Sequence, residues 1–146
     1  MNMPHVSTRK IPDEHFEKIY TQFVSIIDTS GTKRKSDLLL KEFLTHSEKI
    51  MLAKRLAILW MLEEGISTHN ISDTLCVSPS TVARISLRYE QGKYPYISNI
   101  LKKNKQTLWE SLEEIIRLSS QRYTGSRRWD WLNETERKYN QKILKD

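Results

Sequence analysis

Apolar residues recur along this chain at helical spacing, and polar breaks divide them into short runs. Phe16, Ile19, Tyr20, Phe23 and Ile27 predict a helix from Asp13 to about Asp28, ended by Ser30-Gly31-Thr32. Leu38, Leu39 and Phe43 mark a second short helix over 34–43. Thr45-His46-Ser47-Glu48 matches a capping box, the reciprocal side-chain pair that closes a helix start. The helix it opens is predicted to reach about Glu64, with Gly65 as its stop. Its apolar positions (Met51 or Leu52, Leu56, Leu59, Trp60 and Leu62) cover more than one narrow stripe. A helix that apolar is expected to be buried on two sides, one of them by a second subunit.

The pattern then breaks and restarts within four residues. In ISDTLCVSPSTVARIS, residues 71–86, Ser67 stands ready to cap a helix over 68–75. Ser78 caps the next, and Pro79 takes the first helical position, where its missing N–H costs nothing. This second helix is predicted to run to about Glu90, with Gly92 as its stop. Tyr94-Pro95 resets the chain, and a short helix follows through Leu101. Residues 105–122 repeat the amphipathic pattern through Leu108, Leu112, Ile115 and Ile116. After Thr124-Gly125-Ser126, residues 127–145 predict a polar helix anchored by Trp129, Leu132 and Tyr139. No stretch alternates as a strand would. The expected fold class is all-α and multi-helical: a flexible arm over 1–12, a helix-turn-helix domain over 13–103 and a helical extension over 104–146.

The corner at residues 75–79 has the apolar spacing of a helix-turn-helix. Ile71 and Leu75 face inward from the first helix, Val77 plugs the turn, and Val82, Ile85 and Tyr89 face inward from the second. Ser72 is small where the two helices cross. The opposite face of the second helix presents Ser80, Ala83, Arg84 and Leu87. Ser78, Pro79 and Ser80 form the tip that would enter a DNA groove. Ser80 and Thr81 can bond to bases or phosphates. Arg84 suits a bidentate contact to guanine or a phosphate, and Arg88, nearer the edge, suits the backbone. Thr68 and His69, at the start of the first helix, are placed for phosphate contact. One feature departs from the motif: Cys76 stands where the turn favours glycine, at a cost of about 1 kcal/mol.

Charge narrows this further. The 146 residues carry a formal net charge of +6. It divides as +1 over 1–44, +3 over 45–103 and +2 over 104–146, so a nucleic-acid site must be a local face rather than a basic tail. A single cysteine excludes an internal disulfide. With no apolar leader at MNMPHVSTRK and no run long enough to span a bilayer, the expected location is the cytoplasm, away from membranes. Asn70 and Asn133 then match the glycosylation pattern by chance. No catalytic residue, metal site or cofactor is expected. His5, His15, His46 and His69 are scattered, Cys76 reads as a partly buried turn thiol, and Glu63-Glu64 and Glu113-Glu114 read as solvated faces. Trp129 and Trp131 beside Arg127-Arg128 read as docking a terminal helix.

The stretch from Leu44-Thr45-His46-Ser47-Glu48, through Lys54-Arg55-Leu56, to Gly65-Ile66-Ser67 and Ser80-Thr81-Val82-Ala83-Arg84 resembles the Trp repressor superfamily. The resemblance covers roughly residues 14–103 and is most specific over 44–92. It implies an interlocked homodimer that carries one helix-turn-helix per subunit and represses transcription by binding double-stranded DNA. It also implies a tryptophan corepressor held by two arginines and by groups at the start of the central helix, which correspond to Arg55, Arg84 and Thr45. Tryptophan-responsive members have glycine after the second arginine, and here that position is Ile85, whose side chain fills the indole's space. The expectation is therefore DNA binding without tryptophan. Two alternatives remain open at this point: a DNA-anchoring accessory of a transposition or replication-initiation complex, with residues 104–146 contacting a protein partner, and a helical interaction module that does not bind DNA.

Overall fold

The computed structural model describes residues 10–104, together with the single positions Glu110, Glu114 and Gln141. Six helices follow in order: α1 (Asp13–Ser30), α2 (Lys33–Phe43), α3 (His46–Glu63), α4 (Thr68–Leu75), α5 (Pro79–Glu90) and α6 (Pro95–Lys103). Among the described residues there is no strand. The expected helices over 105–122 and 127–145, the tryptophans at 129 and 131, and the arm over 1–9 lie outside the described residues. The chain divides into two compact units, Met1–Lys49 and Ile50–Asp146.

The first unit is a helical hairpin. α1 continues two residues beyond its expected end because Thr29 and Ser30 donate their hydroxyls to the carbonyls of Ser25 and Ile27, at 2.7 and 2.6 Å. It stops at Gly31, whose φ of 57° lies in the left-handed region open to glycine. Thr32 then caps α2 by accepting from the Lys35 N–H at 3.4 Å. The ring of Phe23 lies 5.0 Å from that of Phe43, between the two helices. No residue of α1 or α2 is buried, and Phe16, Ile19, Tyr20, Ile27, Leu38 and Phe43 remain exposed.

The capping box forms at the start of α3. The Thr45 hydroxyl accepts from the Glu48 N–H at 3.3 Å, and Glu48 Oε2 accepts from the Thr45 N–H at 2.8 Å. The Thr45 hydroxyl also donates to that carboxylate, and these bonds hold Glu48 below its ordinary value of 4.5.

The second unit holds the core. Four consecutive residues of α3, Ile58 to Met61, are buried, so this end of the helix is enclosed on more than one side. Ile66, Ile71, Leu75, Val77, Val82, Ile85 and Leu101 complete the cluster. The two deepest positions on α3, Ile58 and Met61, were absent from the expected apolar set, whereas Leu52 and Leu56 are exposed in the single chain. α3 and α5 both end at glycines, Gly65 and Gly92, with positive φ. In each case the two following N–H groups turn back to the last helical turn, as in Ile66 to Met61 and Lys93 to Arg88.

Cys76 takes the place of such a glycine after α4, at φ 49° and ψ 53°. Its side chain is exposed rather than partly buried. Val77, 9% exposed, enters the core instead, while the left-handed residue turns the chain and its thiol donates to the Asp73 carbonyl at 3.9 Å. The cost of that conformation leads to a prediction. Cys76→Gly should stabilise the protein by about 1 kcal/mol in urea unfolding with the helical content unchanged.

Candidate nucleic-acid interface

The corner between α4 and α5 is assembled from local bonds. Ser67 Oγ accepts from the Asn70 N–H at 3.3 Å and starts α4. Ser78 Oγ accepts from the Thr81 N–H at 3.3 Å and starts α5, with Pro79 in the first position. Between them, the buried Ser72 hydroxyl donates to the Val77 carbonyl at 2.6 Å, which satisfies a polar group at the crossing. Lys54 reaches from α3 and donates to the Cys76 carbonyl at 3.2 Å. The turn is thereby tied to the central helix as well as to its own two helices.

α5 has two clearly different sides. Val82, Ile85 and Ser86 are buried, while Ser80, Ala83, Arg84, Leu87 and Arg88 are exposed. At the tip, Ser78, Pro79 and Ser80 are exposed and Thr81 is half-buried. The Ser78 hydroxyl lies 2.8 Å from that of Thr81 and 3.2 Å from that of Ser80. These three hydroxyls gather at the first turn of the helix, an arrangement suited to phosphate oxygens or base edges. Arg84 projects from the middle of the exposed side. The Arg88 guanidinium lies 5.7 Å from the centre of the Tyr94 ring, a cation–π contact that holds it at the end of α5.

Thr68 and His69 are exposed on the first turn of α4. His69 Nε2 stands 3.4 Å from the Asp73 carboxylate one turn on. Of the residues that the resemblance assigns to tryptophan, Thr45 has its hydroxyl engaged in the capping box, and Arg55 and Arg84 are exposed on α3 and α5. Ile85 is 9% exposed and belongs to the core.

Glu63 is the residue that sequence reasoning missed. Expected as part of a solvated face, its side chain is only 10% exposed. Its carboxylate accepts from the Tyr89 hydroxyl at 2.8 Å and lies 3.4 Å from Lys102 Nζ. One acid therefore joins the ends of α3, α5 and α6. A signal existed, because an inward-facing tyrosine must bring its hydroxyl to an acceptor. Burial, and then the bond to Glu63, push the Tyr89 phenol up to about 12.

Residues 18–105 match the family model described as Trp repressor protein. No curated protein matches the chain, and no solved structure does. Among the described residues, no helix is long and apolar enough to cross a membrane, and no group of His, Cys, Asp and Glu is arranged to hold a metal ion.

Removing the Tyr89 hydroxyl tests how far Glu63 holds α5 in place. Tyr89→Phe should cost about 1 kcal/mol of stability at pH 8 in urea unfolding. The folded-state value lies above the ordinary 10, so the neutral phenol contributes fully below pH 10 and its contribution fades as pH rises through about 12. The gap between wild type and variant should therefore narrow across that window.

Proposed function

The chain belongs to the Trp repressor family, whose members are helix-turn-helix DNA-binding regulators, and we propose that it is a homodimeric, sequence-specific transcriptional repressor that does not use tryptophan. Residues 13–103 form the DNA-binding domain in this reading, with 1–12 and 104–146 as appendages, and the protein works in the cytoplasm without catalysis. The observation that carries the reading is the two-sidedness of α5. Its apolar side is consumed by the core, and its other side is open, polar at the tip and cationic at Arg84 and Arg88. A helix held this way can lie in a major groove. Ser78, Pro79, Ser80 and Thr81 meet the bases or adjacent phosphates, Arg84 reads a base, and Arg88, Thr68 and His69 hold the backbone.

Dimerisation is supported by the first unit. Two helices whose apolar residues find no burial within their own chain are poor structures in water alone. A second copy offers the missing cover. With two subunits, two recognition helices enter successive major grooves about 34 Å apart, and the operator is a near-palindrome. Independence from tryptophan is supported by Ile85, whose side chain is already part of the core where an indole would need room.

Selection of bound sequences from random duplex DNA, with and without tryptophan, should recover the same paired half-sites. Recovery of a palindrome only with tryptophan would reverse the effector reading. Arg84→Ala should weaken binding to the recovered duplex by about 1–3 kcal/mol in a titration, and unchanged affinity would remove Arg84 from the site. Ser80→Trp should abolish specific binding while circular dichroism stays the same. Sedimentation equilibrium should give twice the chain mass of 17.3 kDa.

A further inference from the structure

Leu87 is 55% exposed. Among the described residues of α4 and α5, it is the one large aliphatic side chain left in solvent. A single exposed leucine is ordinary on a protein surface, but this one stands on the outer face of α5. At about 100° per residue, Ser80, Leu87 and Arg84 fall within an arc of about 60°, on the side away from Val82, Ile85 and Ser86. Leu87 therefore shares the rib of the helix that presents the tip serine and the arginine. Ala83, also exposed, lies about 40° from it toward the side opposite Arg84 and Arg88. The outer face is thus divided, with cations along one flank and an aliphatic strip along the other.

We infer that Leu87, with Ala83 beside it, reads thymine methyl groups in the major groove, an inference that rests on α5 being the DNA-reading helix. The major-groove edge of each base pair offers hydrogen-bond donors and acceptors, and the thymine C5-methyl is the apolar group among them. An aliphatic side chain pressed on a donor or acceptor strips its water and returns no bond. Pressed on a methyl group, it buries apolar surface on both partners. Leu87 stands about 10 Å along the helix from Ser80, or about three base-pair steps. It reads a different part of the half-site from the tip.

The segment carrying Leu87 is held on both sides. Ser86 Oγ donates to Glu90 at 3.2 Å, and the Tyr89 hydroxyl donates to Glu63 at 2.8 Å. The side chain is therefore presented from a fixed turn of helix. Its exposure also leaves it dispensable to the core, so its replacement tests recognition rather than folding.

The test uses the full chain and the duplex recovered from random-sequence selection, with each thymine replaced in turn by deoxyuridine. Loss of one methyl at the position facing Leu87 should weaken wild-type binding about fourfold, the value of one buried methyl-sized group. Leu87→Ala should bind the thymine and uracil duplexes equally, and Leu87→Met should keep the preference for thymine. Indifference of the wild type to every replacement would overturn the inference while leaving DNA reading intact. So would a Leu87→Ala variant that keeps the full thymine preference. A variant that dissociates into monomers and keeps that preference would overturn it too, assigning Leu87 to a subunit contact. Failure to recover any enriched duplex would remove both this inference and the DNA-reading helix beneath it.

Discussion

The burial of Val82 and Ile85 against the end of α3 is the constraint from which the rest of the second unit follows. Both residues belong to one cluster with Ile58, Met61 and Ile71. Once they are buried, helical periodicity alone directs Ser80, Arg84 and Leu87 outward. No separate device is needed to expose them. The polar bonds refine the same placement: Ser72 ties the crossing to Val77, Lys54 ties the turn to α3, and Glu63 ties the far end of α5 through Tyr89. Each bond joins groups that the apolar cluster has already brought together, and none would be strong enough to set the angle of α5 in water.

The parts of this fold that were legible in the sequence are those decided within a few residues. Ser67, Ser78-Pro79, Gly31 and Gly92 mark helix ends through groups that act on the nearest N–H or carbonyl, so the bounds of α4 and α5 fall where the sequence puts them. The Thr45–Glu48 box is equally local. The parts that were not legible depend on residues distant in sequence. Glu63 and Tyr89 are 26 positions apart, and nothing near Glu63 distinguishes it from Glu64. The exposure of Leu52 and Leu56, beside the burial of Ile58 and Met61, depends on what α3 packs against rather than on its own composition. Cys76 takes the left-handed turn that the motif requires, yet its thiol is exposed, because the backbone need at that position says nothing of where the side chain lies.

The two units also differ in how their apolar residues are used. In the second, they close a core within the chain. In the first, which holds all three phenylalanines, apolar residues produce ring contacts such as Phe23 with Phe43 and no buried residue in α1 or α2. Exposed i,i+4 pairs such as Glu14–Lys18 and Asp37–Lys41 contribute a few tenths of a kcal/mol each, too little to hold an isolated hairpin. In the proposed dimer, folding of the first unit and assembly become one event, and the stability of that half depends on protein concentration.

Ile85 is where the core and the recognition helix meet. A recognition helix whose seat is completed by a ligand changes its readiness for DNA with the concentration of that ligand. A helix whose seat is completed by its own side chain has no such equilibrium to shift, because ligand and pocket are covalently one. Ile85 belongs to the cluster that sets α5, and in the proposed reading it is the side chain that completes the seat. In the proposed reading, the seat of α5 offers an effector no two states to distinguish, and an effector acting there would first have to displace a buried isoleucine. What remains adjustable in the proposed reading is the supply of the second copy. Two α5 helices reach successive grooves only when two chains are joined, so occupancy of a paired site rises with the amount of protein more steeply than a single helix would allow.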